Sequence, residues 1–192
     1  MRISKEKAAE NRERVVAAAA KLFRERGLEG TGVDALAEAA GLTHGAVYSH
    51  FKSKDELATE AVRQALHQSM AEWLALTEGL GRAKAFEKLL KVYVSRSHRD
   101  DPAAGCSIAA IGNDAPRGAD ALRDVFRGGV AQLIDILTQV SDGETAADRR
   151  RTAIARAAAM MGAVVMSRAA ASDPALSDEI LKSVRTELLS QP

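Results

Sequence analysis

A single cysteine, Cys106, stands among 192 residues. One chain can therefore form no internal disulfide, and it can build no cysteine-based zinc or iron–sulfur site. Such sparse cysteine suits a reducing compartment, and a cytoplasmic location is expected. Aromatic residues make up only 4% of the chain, which disfavours a sandwich or barrel built on aromatic and β-branched side chains. Long apolar runs are missing too. The longest nearly uncharged stretch rich in apolar residues, Ala157–Ser167, falls short of the roughly 18 residues that span a bilayer, so no membrane association is expected. The opening Met1-Arg2-Ile3-Ser4-Lys5-Glu6-Lys7 has no apolar core, so no signal peptide is expected. Charge of one sign is not in excess either: 27 Lys and Arg against 26 Asp and Glu leave a formal +1. That balance argues neither for nor against nucleic acid.

Catalytic inventory is also thin. The four histidines, at 44, 50, 67 and 98, show no metal-like spacing. There is no Glu-x-x-His pair, and no glycine-rich phosphate loop precedes a Lys-Ser/Thr. The expectation is a protein that is not an enzyme and needs no cofactor or metal. The remaining classes are a DNA-binding regulator and a helical ligand-binding or adaptor protein that never touches DNA.

What the chain does have is aliphatic material at helical spacing. Hydrophobic residues reach 46%, with alanine and leucine prominent, and the fold class expected is all-α. Val15, Val16, Ala19, Leu22 and Phe23 make one stripe of a first helix that Gly27 would stop. Residues 1–26 carry eight Lys and Arg and four Glu, a basic lead-in in which Arg14 would add phosphate contacts. Short helices are expected at about 33–40 and 44–51. Ser53-Lys54-Asp55-Glu56 reads as a capping box opening a long helix that ends at Gly79 and Gly81. Further helices are expected at about 83–98, 106–112, 118–140 (with periodicity interrupted at Gly128-Gly129) and 146–171. Asp173-Pro174 would open the last.

The two short helices form a helix-turn-helix pattern. Ala37 is small enough for helices to touch, and Gly41 tolerates a positive φ in the turn. Leu36, Leu42, Val47 and Phe51 would fill the inner face, and Thr43 would cap the second helix. The outer face would hold His44, Gly45, Tyr48 and Ser49, followed by Lys52 and Lys54. No acid occurs from residue 39 until Asp55. A slender polar helix without acids, flanked by cations, is what a DNA major groove admits.

These residues carry a specific resemblance. The run 15–27, Val-Val-Ala-Ala-Ala-Ala-Lys-Leu-Phe-Arg-Glu-Arg-Gly, then Thr31-Gly32-Val33, then the block from Gly41 through Leu57 resemble the N-terminal domain of the TetR family of regulators. The resemblance covers roughly the first 60 residues and implies an N-terminal three-helix DNA-binding domain, residues 1–55, joined to a larger helical domain, residues 56–192. It implies that Thr31 and Thr43 hold phosphates, that His44 and Gly45 approach base edges, that Tyr48 and His50 contact backbone or bases, and that Lys54 clamps a phosphate. The function implied is repression of transcription by a homodimer on double-stranded operator DNA, released by a small effector.

Dimerisation is a geometric need, since recognition helices must sit about 34–36 Å apart to enter successive major grooves. The last two helices are the interface candidates. Ala155, Ala158, Ala159, Gly162 and Ala169 permit close approach on one, and Leu176, Ile180, Val184 and Leu188 stripe the other; the alternative is that both stripes are internal core. Trp73, Phe86, Tyr93, Cys106, Phe126, Met160 and Met161, with Asn113 as polar anchor, are candidates to line an effector pocket, or are plain core. Few ionisable residues point obviously inward, so a small, mostly apolar or electrophilic effector is expected. Cys106 reads either as inert core or as a redox sensor at a helix N-terminus.

Overall fold

The computed structural model describes residues 4–190. Arg2 of the basic lead-in, and the outer ends of the two expected domains, lie outside the described residues. Among the described residues every regular element is helical, as the composition predicts.

Helix α1, Lys5–Arg26, begins where the Ser4 hydroxyl accepts the Lys7 amide, 3.2 Å away. Its predicted stripe, from Val15 to Phe23, is buried. It stops at Gly27, whose φ of +77° favours glycine. Helices α2, Val33–Ala39, and α3, His44–Tyr48, follow, with α3 shorter than expected. Helix α4 runs Lys54–Thr77 and is opened by Ser53, which accepts the Glu56 amide. The reciprocal half of the expected capping box differs: the Glu56 carboxylate accepts from the Lys52 amide at 2.7 Å, one residue earlier than Ser53.

The expected single helix over 83–98 is two, α5 (Arg82–Tyr93) and α6 (Arg96–Asp100). The chain breaks at Val94, whose ψ of 70° leaves the helical region, and Ser95 recaps it by accepting the His98 amide. Helix α7, Ser107–Ile111, has Cys106 at its N-cap and passes into a 3-10 turn over Gly112–Arg117. Helix α8, Asp120–Gln139, runs through both central glycines without interruption. Gly129 is there because α8 lies close to α4: a Cβ at this position would come within 2.7 Å of Leu66 Cδ1. Helix α9, Ala146–Ala169, opens with a reciprocal Thr145–Asp148 capping box. In α10, Pro174–Ser190, Asp173 Oδ1 accepts the Ala175 and Leu176 amides as predicted.

Packing explains the layout. Helix α4 is shared: it lies against α1, then against α8, while α8 packs on α9 and α9 on α10. Buried side chains from Val15 to Leu188 form one contiguous cluster. The boundary expected at residue 55 falls in the first turn of α4, and the helix continues through it. Two polar links also fasten α1 to the region before α8. The Arg24 guanidinium donates twice to the Ala103 carbonyl, and Asp114 accepts the Leu28 amide at 3.2 Å. Among the described residues no helix is long and apolar enough to cross a membrane.

Candidate nucleic-acid interface and internal pocket

Helix α3 is positioned by the side it buries. Val47 and Phe51 are each 2% exposed, and Leu36 and Ala37 close the same core from α2; Leu42 is half-buried at its edge. The turn depends on Gly41, whose φ is +64°. The Arg14 guanidinium lies over that glycine and donates to the Ala40 carbonyl at 2.5 Å. Arg14 thus caps α2 from an exposed position. Arg12 packs its guanidinium over the Phe51 ring, 4.9 Å from the centroid.

The opposite side of α3 is open. Thr43, His44, Gly45, Tyr48 and Ser49 are exposed, and His50 and Lys54 are half-buried. The Thr43 hydroxyl accepts the Ala46 amide at 3.3 Å and caps the helix. Around Gly45 a Cβ would meet nothing within 4 Å, so this side of the backbone is free to approach a surface. The rings of His44 and Tyr48 lie 5.1 Å apart. Folding adds one acid to a face that has none in sequence: Asp34 of α2 places Oδ1 2.5 Å from His44 Nδ1. A ring that donates from Nδ1 to this carboxylate keeps Nε2 pointing outward as an acceptor when neutral.

A second feature lies where α4, α5, α6 and the 101–106 loop meet. A cavity of about 290 Å³ is lined by Met70, Trp73, Tyr93, His98, Cys106 and Leu133, with Glu72 and Asp101 also in its wall. Trp73 and Tyr93 stand edge to face at 5.4 Å, and Tyr93 and His98 at 4.4 Å. His98 donates from Nδ1 to the Tyr93 carbonyl at 2.7 Å and accepts the Cys106 amide at Nε2, 3.0 Å. Burial pushes this imidazole below its ordinary pKa, opposed by the Tyr93 carbonyl. The Tyr93 side chain is 4% exposed, and its hydroxyl has no hydrogen-bond partner. Burial first, and then the neighbouring Cys106 thiol, raise that hydroxyl well above its usual pKa. Arg168 bridges the same corner by donating to the carbonyls of His98 and Arg99.

Comparison with known proteins places this architecture. The profile described as "Bacterial regulatory proteins, tetR family" matches residues 15–61, which span α1 to the first part of α4. Residues 15–61 thus form an N-terminal domain of the TetR family type. The transcriptional regulator TtgR of Pseudomonas putida is 41% identical over 69 residues, covering 36% of this chain and 32% of TtgR. The transcriptional repressor KstR2 of Mycolicibacterium smegmatis is 38% identical over 66 residues, 34% of this chain and 30% of KstR2. The matching stretch thus spans about a third of these relatives. A TetR transcriptional regulator from Chloroflexus aurantiacus is similar throughout, at 27% identity and a TM-score of 0.76, covering 97% of this chain and 98% of that one.

Within this fold the predicted site residues divide. Thr43, His44, Gly45, Tyr48, His50 and Lys54 cluster at α3 and the start of α4. Thr31 does not join them. It is fully buried, and its hydroxyl donates to the Gly27 carbonyl at 2.8 Å, so its side chain ties the end of α1 to the start of α2 and is not available to a phosphate. Of the expected pocket residues, Trp73, Tyr93 and Cys106 do meet in one cavity. Phe86, Phe126 and Met160 are core, Met161 is half-buried, and none of the four lines this cavity. Phe86 instead carries the buried Arg156 guanidinium 3.8 Å above its ring. Asn113 is exposed in the 3-10 turn and is no inward anchor. His98 joins the cavity lining, while Glu72 and Asp101 stand exposed at its rim. His98 was missed because its position depends on the break after α5, which no glycine or proline marks.

Proposed function

We propose that this chain binds a palindromic operator as a homodimer, represses transcription there, and is released by a small effector held in the Trp73–Tyr93–Cys106 pocket. The outward face of α3 carries this reading: a polar surface backed by a wholly apolar one. His44 and Tyr48 would meet base edges or backbone, Gly45 would let the helix sit deep, and Thr43, His50 and Lys54 would contact the phosphate strand. Repression follows the name of the relative KstR2.

The dimer is proposed through α9 and α10. Ala155, Ala158 and Ala169 are exposed, and Ile154, Val165, Met166, Leu176 and Leu189 are large apolar side chains left at the surface. Ile180 and Val184 are half-buried beside them, whereas Leu188 is buried within its own chain. Such a face suits a four-helix interface with a second copy. The effector acts by differential affinity for two dimer geometries, with α4 as the shared lever. The cytoplasm is the proposed site of action.

A second trigger is favoured by one observation. Cys106 stands at the N-cap of α7 and in the wall of the pocket, where an electrophile entering that pocket would meet its sulfur. Cys106 is therefore also proposed as a sensor of oxidants or electrophiles.

Replacing Tyr48 tests the DNA reading. Tyr48 is 46% exposed, so Tyr48→Ala should leave the helical signal and melting midpoint unchanged. Operator affinity should fall by about 1–3 kcal/mol in a gel-shift titration. Unchanged affinity would contradict the proposed role of α3.

A further inference from the structure

We infer that the pocket between α4, α5 and α6 takes a small, neutral aromatic carbonyl compound whose oxygen accepts a hydrogen bond from Tyr93. The inference rests on the effector-site reading above and narrows what that site binds.

The Tyr93 hydroxyl supplies the first reason. A buried hydroxyl with no partner costs about 1–3 kcal/mol relative to a satisfied one, and unsatisfied groups of this kind concentrate at functional positions. The group acts as a donor, because a phenol is protonated at physiological pH. The Cys106 thiol lies beside it, a weak acceptor that a carbonyl oxygen would replace. A carbonyl oxygen delivered into the cavity would satisfy the hydroxyl.

The walls supply the second reason. Trp73, Tyr93 and His98 present rings at steep mutual angles, 90° and 66°, and Met70 and Leu133 complete the lining. Aromatic rings favour edge-to-face and offset partners, and methionine sulfur packs well on ring edges. A volume of about 290 Å³ lies at the lower end of small-molecule sites, which run from about 300 to 1,000 Å³. One ring or two fused rings fit that space better than a larger skeleton.

Charge supplies the third. Glu72 and Asp101 line the cavity, and the Arg24 and Arg168 guanidiniums stand near Cys106 and Asp101. Both arginines already donate to backbone carbonyls. His98 uses Nε2 to accept the Cys106 amide and is neutral. The two signs balance, and an ionic ligand would lose its hydration without gaining a dedicated counter-charge.

The full-length dimer can be titrated without DNA, using calorimetry and the emission of Trp73, the single tryptophan. α-Tetralone is the probe, tetralin the same skeleton without oxygen, and α-naphthoate a charged counterpart. α-Tetralone should bind and perturb Trp73, about tenfold or more tighter than either analogue, the worth of one hydrogen bond to an otherwise unsatisfied buried group. Tyr93→Phe should reduce its affinity to that of tetralin while leaving the melting midpoint equal or higher, since an orphan hydroxyl has been removed. Cys106→Ser should retain binding, which separates this site from thiol chemistry. Absence of α-tetralone binding, equal binding of tetralin, tighter binding of α-naphthoate, or an unaffected Tyr93→Phe protein would each overturn the ligand class. Binding that leaves operator affinity unchanged would support the ligand class and overturn the effector role.

Discussion

Cys106 shows how much a residue owes to its surroundings. Its own helix, α7, has five residues, too short for a helix dipole to dominate. The charges near its sulfur come instead from Arg24 of α1 and Arg168 of α9. If it is a sensor, Cys106→Ser protein should stay on operator DNA when hypochlorite or a quinone is added, while wild-type protein leaves it. Equal release of both proteins in a gel shift would contradict the sensor reading. Thr31 and Thr43 make the matching point about legibility. Both precede a short helix, and the sequence offers no distinction between them. Thr43 stays exposed as a cap, whereas Thr31 is buried against the carbonyls of the α1 terminus. Residue type and spacing locate a helix start; only the packing of α1 against α2 decides which hydroxyl reaches the surface.

Among the elements, the helices with strong apolar stripes and clear stops were legible: α1 with Gly27, α4 with Ser53, α10 with Asp173-Pro174. The α5–α6 break was not, because Val94 and Ser95 lie in a stretch whose apolar period continues across them. That break matters, since it turns His98 back onto the Tyr93 carbonyl and shapes the pocket. The adjoining loop is fastened to the DNA-binding end of the chain by Arg24, which donates twice to Ala103. Arg24→Ala should remove that fastening and cost about 2 kcal/mol, the scale of charged hydrogen bonds. For a chain of this size the melting midpoint should fall by roughly 4–8 °C. A midpoint within one degree of wild type would show that the link carries no stability. The proposed effector cavity was half legible: Trp73, Tyr93 and Cys106 were identifiable as a candidate set, while Phe86, Phe126 and Met160 were assigned to it only because periodicity cannot tell a pocket wall from solid core.

At the scale of the whole molecule, the proposal joins three surfaces: α3 facing outward at one end, the pocket beside α4, and the small-residue face of α9 with the exposed leucines of α10. A regulator with two-fold symmetry reads a two-fold-symmetric site, and the half-site spacing is fixed by the separation of the two α3 helices in the dimer. Selection of bound fragments from random DNA by the purified full-length protein, followed by sequencing, tests this most directly. The proposal predicts enrichment of one inverted repeat whose half-sites are about one helical turn apart, and loss of that enrichment with Tyr48→Ala. Recovery of no enriched palindrome by a folded wild-type dimer would contradict it.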